Sequence, residues 1–159
     1  MTMKKILLLF AITLLGMAAC AQQEDKDIYQ PQKNEPIMNT EGTHITLTIG
    51  KTIIPATLNN TETAQAFVKR LPFSVTANRG EFDYCGTGPS LPCNTSETQT
   101  GWKCGDMGYS KGWFALFFNG EEESKSYHGE MIIGHIDDEY LETVRNLGSS
   151  VHIVVELKN

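Results

Sequence analysis

Basic residues are scarce in this chain: 13 Lys and Arg stand against 19 Asp and Glu in 159 residues, a formal net charge of −6. An acidic chain has no electrostatic basis for gripping phosphates, which excludes nucleic acid and anionic lipid surfaces as charge-held partners. Cysteine is sparse too, at four residues. The spacings of Cys85, Cys93 and Cys104 fit no zinc template and no histidine lies among them, so no metal is expected, and no cofactor either. Long hydrophobic runs are missing except for one, Ile6 to Leu15, which is broken by Thr13 and is too short to span a bilayer. Catalytic signatures are absent as well: Ser124 and Ser126 lie in no Gly-x-Ser-x-Gly frame.

What the first residues do contain is an export pattern. Lys4 and Lys5 precede the apolar run, and Gly16-Met17-Ala18-Ala19 supplies small residues before Cys20, which reads as a cleavable signal peptide over residues 1–19. Leu14-Leu15-Gly16-Met17-Ala18-Ala19-Cys20 resembles the lipobox of bacterial lipoproteins, with Met17 where Leu is commonest. The resemblance implies diacylglyceryl and fatty acyl (palmitate-type) chains on Cys20 and a lipid-anchored place in the cell envelope, facing the periplasm or the cell surface. Two or three acyl chains suffice for stable anchoring. Residues 20–42 carry Gln, Asp, Glu, Lys, Asn and Pro without apolar periodicity, so they read as a flexible tether of roughly 70 Å when extended. Loss of Lys4 and Lys5 on cleavage would take the net charge from −6 to −8.

In an oxidising envelope the three remaining cysteines allow one disulfide and one spare thiol. Cys93–Cys104 is the preferred pairing, because it would close a polar stretch that has little else to hold it; Cys85–Cys93 is the alternative. Such a compartment also opposes a Cys–His nucleophile, which needs a reduced thiol.

Residues 43–159 are about the length of one domain with one core. Ile45, Leu47 and Ile49 alternate with polar residues, Gly50-Lys51 makes a turn, and Thr52 to Leu58 returns as a second strand. Pro55 lacks an amide hydrogen and places that strand at an edge or bulge. Asn59-Asn60-Thr61 offers cap oxygens to a helix carrying Ala64, Phe67, Val68 and Leu71, which Pro72 ends. Strands are expected over Phe73 to Ala77, Glu81 to Cys85, Trp113 to Phe118 (the most apolar run, expected to be buried) and Met131 to Ile136. Gly86 to Gly101 reads as a long loop, and Asn119-Gly120 as a turn. Asp137 or Asp138 can cap a second helix through Leu141, Val144 and Leu147, with Gly148 as its C-terminal cap. Val151 to Leu157 closes the chain as a strand. Many strands with two helices are most economically hidden as a closed barrel.

Thr52-Ile53-Ile54-Pro55-Ala56-Thr57-Leu58-Asn59-Asn60, the short helix and Leu71-Pro72 resemble the opening of a bacterial cyclophilin-like domain family. Leu91-Pro92, Gly105-Asp106-Met107-Gly108-Tyr109, Ala115-Leu116-Phe117-Phe118, Ser126-Tyr127, Ile133-Gly134-His135-Ile136-Asp137 and Leu147-Gly148-Ser149-Ser150-Val151 continue the resemblance in order. It implies a mainly β, closed barrel of about eight strands capped by two short helices. The Phe-His-Arg strand and Phe-x-x-Gln-Gly-Gly segment of true cyclophilins are missing. Arg79 followed by Phe82 is the nearest approach, at the wrong spacing, so isomerase activity is not implied.

No acid, base and nucleophile converge in a recognisable spacing. His44 and His152 fall on the polar faces of terminal strands, where they form either a two-His site or ordinary cross-strand hydrogen bonds. His135 reads as structural, and Asp106, between glycines, as a turn-stabilising carboxylate. His128, in a loop after Glu121 to Glu123, has no nucleophile beside it; those glutamates themselves read as a solvated turn rather than a calcium loop. The aromatics are more suggestive. Tyr84, Trp102, Tyr109 and Tyr127 fall at strand ends or in loops, and with Arg79 they would suit a small molecule or peptide at a barrel mouth. The expected function is therefore a membrane-anchored, non-catalytic binding module. The alternative is an enzyme, either a divergent prolyl isomerase or a hydrolase of unfamiliar residues.

Overall fold

The structure, a computed structural model, describes residues 42–159. The expected signal peptide, the lipidation site Cys20 and the tether up to Glu41 lie outside the described residues. The described chain folds into ten strands and two short α-helices: β1 (Thr43–Ile49), β2 (Thr52–Leu58), α1 (Glu62–Val68), β3 (Phe73–Arg79), β4 (Asp83–Thr87), β5 (Gln99–Thr100), β6 (Asp106–Ser110), β7 (Trp113–Phe117), β8 (His128–Glu130), β9 (Ile132–Ile136), α2 (Leu141–Arg145) and β10 (Ser150–Leu157). Eight strands close a barrel in the order β1-β10-β3-β4-β7-β6-β9-β2, while β5 and β8 form a separate two-stranded ribbon.

Alternation decides which side chains fill the barrel. Ile45, Leu47, Ile54, Leu58, Val75, Ile133, Ile153 and Val155 all point inward and are buried. Full burial of each such side chain stabilises the fold by about 1.5–3 kcal/mol. The strand carrying Pro55 is not an edge and has no bulge there: β2 lies between β1 and β9 in the closed barrel, and the proline is accommodated because β2 pairs with β9 only from Ala56 onward.

The helices cap opposite ends. α1 joins the end of β2 to the start of β3; Thr61 caps it by accepting from the Ala64 amide (3.2 Å). Its Phe67 packs among Phe73, Tyr109 and Phe114. α2 follows β9 and leads into β10 at the other end, with Val144 buried. Neither aspartate caps it: Asp137 makes no side-chain cap bond, and Asp138 is drawn instead to His135. Gly148 is not a left-handed cap either; its carbonyl accepts from the Tyr84 hydroxyl (2.9 Å).

Three further expectations change. Cys85, Cys93 and Cys104 are all free thiols, so the Cys93–Cys104 bridge is not formed. Cys93 follows Pro92, whose carbonyl accepts from Thr63 of α1 (2.7 Å), whereas Cys104 lies just before β6 at the α2 end, its amide bonded to Glu121 (3.2 Å). The barrel stands between them. The segment Gly86 to Gly101 is not wholly irregular, since it carries a 3-10 turn (Thr95–Glu97) and β5. The run from Trp113 is not uniformly core: Phe114, Leu116 and Phe118 point inward, but Trp113 is 52% exposed on the outer face.

Candidate functional site: an aromatic cleft on the barrel wall

The barrel interior is filled, so the place for a ligand is outside it. On β7 the outward residues are Trp113, Ala115 and Phe117; across the β4 ladder they face Thr87, Cys85 and Asp83. Trp102 lies flat on Phe117, with ring centroids 4.4 Å apart and planes 12° from parallel. Phe82 and Tyr127 pack against its other sides at 5.8 and 5.2 Å. The indole Nε1–H of Trp102 donates to the Asn119 carbonyl (2.9 Å), and its amide donates to the buried Ser124 hydroxyl (3.1 Å). Trp102, Ala115, Phe117 and Ile132 thus make a second apolar cluster, distinct from the barrel core. Gly108 permits the close layer: a Cβ there would stand 3.0 Å from the Phe117 ring.

Beside this cluster opens a cleft of about 340 Å³. Trp102, Trp113, Tyr127 and Phe82 supply its rings, and Glu81, Asp83 and Glu130 its charges. Trp113 and Tyr127 are the exposed members, at 52% and 46%. Burial raises the Asp83 carboxyl above the ordinary range; for Glu130 burial does the same, reinforced by the charge of Asp83.

The five expected ligand contacts are therefore divided. Trp102, Tyr109 and Tyr127 border the cleft, although the Tyr109 ring is buried and its hydroxyl donates to the Pro89 carbonyl. Arg79 and Tyr84 stand apart at the α2 end. Tyr84 is fully buried, with its hydroxyl 2.8 Å from the Leu147 carbonyl and accepting from Arg79 Nη1 (2.5 Å). The Arg79 guanidinium lies over the Phe118 ring, 4.2 Å from its centroid. The residue is exposed at that end of the barrel and is not part of the cleft lining. The residues missed in the sequence are Trp113, hidden in an apolar run, and the carboxylates Asp83 and Glu130. Their signal was the strand register: Trp113 and Asp83 share the outward phase of paired strands.

The histidines are structural partners. His44, His128 and His152 each contact the threonine directly across the ladder: Thr57 (3.2 Å), Thr100 (3.0 Å) and Thr76 (3.5 Å). The conceivable two-His site is not assembled: His44 lies next to the end of β10, whereas His152 pairs with β3. His135 is held between Asp106 (2.7 Å) and Asp138 (3.0 Å), in a hollow of about 580 Å³ near α2. The other oxygen of Asp106 accepts from the Lys103 amide (2.7 Å), which is the turn-stabilising role expected of it. Arg145 in the same hollow is bonded to Glu142 (2.5 Å) and to the Phe118 carbonyl (3.0 Å). These groups are occupied with one another.

A small filled β-barrel, capped at both ends and carrying an open aromatic cleft on its wall, is the class of protein that this geometry defines. Residues 47–156 match the cyclophilin-like family, and the chain belongs to it. Among solved structures it is similar to the solution structure of the hypothetical protein AF2241 from Archaeoglobus fulgidus, with 17% identity and a TM-score of 0.54. That match covers 76% of this chain and 98% of the archaeal one, and it bears on the fold alone. No curated protein matches the chain.

Proposed function

We propose that this protein is an exported, lipid-anchored binding module of the cell envelope, acylated on Cys20, which holds its ligand in the wall cleft without turning it over. The observation that carries the binding role is the cleft itself: both tryptophans of the chain line it, and one of them is half exposed. Exposed aromatic rings beside a preformed hollow are the usual makings of a ligand site. Among the described residues that line it there is no histidine, cysteine, lysine or arginine, so it offers no cation to polarise a proline amide. The anchor rests on the lipobox-like residues ending at Cys20.

Cell fractionation tests the anchor. Cys20→Ser is expected to move the protein from the membrane to the soluble fraction and to abolish labelling by a clickable fatty acid; unchanged membrane partition would defeat this part. The cleft is tested on that soluble Cys20→Ser chain. The neutral dye Nile red is expected to brighten on binding, and Trp113→Ala to weaken its binding several-fold. An X-Pro peptide assay should show only the uncatalysed rate, unchanged by Arg79→Ala. A catalysed rate that falls in that variant would promote an isomerase over a binding module.

A further inference from the structure

The charges around the wall cleft narrow the chemistry of what it holds. Glu81, Asp83 and Glu130 border it, and among the described residues none of the three has an ion pair or a side-chain hydrogen bond. No lysine or arginine is part of the lining; Lys111 of the β6–β7 turn, next to Ser110, is outside it. Exposed carboxylates such as Asp137 and Glu139 go without partners too, but among the described residues the other carboxylates that are buried or half-buried have them: Asp106 has His135, and Glu97 accepts from the Glu62 amide. Two half-buried carboxylates without partners, Asp83 and Glu130, beside aromatic faces are thus a local departure from the way this domain treats its other shielded acids.

Resting on the cleft as the binding site, we infer that its ligand is a small organic cation, an alkylated ammonium with a compact apolar head. Two attractions converge on such a group. The exposed faces of Trp113 and Tyr127 carry the negative quadrupole that draws a weakly hydrated cation, by about 0.5–2 kcal/mol per contact. The carboxylates add a field that nothing in the cleft cancels, and it acts strongly because Asp83 and Glu130 are half-buried. The raised pKa of each carboxyl agrees with that environment: these charges are poorly solvated and would gain from a counter-charge. A bare metal ion fits less well. Among the described residues no group of three or more His, Cys, Asp or Glu side chains is placed to share one, and aromatic walls offer a hard ion nothing for its lost water. The volume, about 340 Å³, lies at the small end of ligand sites, which suits a compact head.

The test compares choline with its neutral carbon isostere, 3,3-dimethylbutan-1-ol, titrated into the soluble Cys20→Ser chain and read by intrinsic fluorescence. That signal comes from the site, since Trp102 and Trp113 are the only tryptophans. Choline is expected to bind at least tenfold more tightly than the isostere at low salt. This ratio should shrink as salt rises and approach one in the Asp83→Asn/Glu130→Gln double variant, whose native fold is checked by circular dichroism. Equal binding of the two probes, or a preference that survives the double variant, overturns the inference. So does absence of choline binding where Nile red still binds, which leaves the cleft intact as a site. Failure of choline, isostere and Nile red together removes the binding reading on which the inference stands.

Discussion

Replacing Trp102 with Ala is expected to destabilise the folded domain by about 3–4 kcal/mol, within the range for deleting a buried aromatic side chain. The indole is 6% exposed, lies flat against Phe117 and is bordered by Phe82 and Tyr127. Its loss would also strand the Asn119 carbonyl that it bonds at 2.9 Å. The surrounding segment cannot collapse to fill the gap, because Gly101 is left-handed (φ 70°) and Ser124 is tied to Trp102 and Glu121 through its hydroxyl. Trp102→Phe keeps a ring on Phe117 and loses chiefly the indole hydrogen bond and some area, so about 1–2 kcal/mol is expected from that variant. Denaturant unfolding measures both. The barrel core is a separate cluster and should stay folded. Far-ultraviolet dichroism should therefore persist while the near-ultraviolet signal of Trp102 disappears. A loss below about 1 kcal/mol for Trp102→Ala would show that the outer layer is not packed as described.

That outer layer explains how the sequence and the fold part company. Inward positions were legible, since Ile45, Leu47, Ile49, Val151, Ile153 and Val155 alternate with polar residues and do fill the barrel. The caps at Asn59–Thr61 and the break at Pro72 were legible too, because they act within a few residues. β7 was harder. Its outward face is apolar because Trp102 and Phe82 arrive from distant segments to cover part of it, so the strand lost the alternation that would have marked a cleft. Pairing of Asp83 with Phe117 is likewise a long-range fact, invisible until the register is known. The place of Arg79, away from the aromatic cleft, was out of reach for a related reason. An arginine at a strand end can face solvent, a ligand or a neighbouring ring, and only the approach of Phe118 and Tyr84 decides among them.

The ion pair under α2 should give the domain a pH dependence that another kind of packing would not. The bond from His135 to Asp106, with a second to Asp138 and the charge of both, outweighs burial and raises the imidazole from 6.5 to about 9. In the unfolded chain His135 titrates near 6.5. The charged ring therefore favours the fold, and its contribution is complete below about pH 6.5. It declines as pH rises through the window from 6.5 to 9 and is spent above it. The imidazole side chain is 37% exposed, so solvent screening reduces the effect to about 1–2 kcal/mol. The expected result is a fall of that size in unfolding free energy between pH 6 and pH 9.5 in the parent chain, relative to His135→Gln. Taking the difference cancels groups common to both, including Cys85, whose thiol is raised by burial and then by the charge of Asp83. Asp106→Asn should erase the same dependence, and it should cost more at pH 6, because it removes the carboxylate that holds both His135 and the Lys103 amide. Nuclear magnetic resonance titration of the His135 ring gives the independent reading: an inflection near 6.5, with no pH-dependent difference in stability, would mean that the Asp106–His135 bond does not hold in solution.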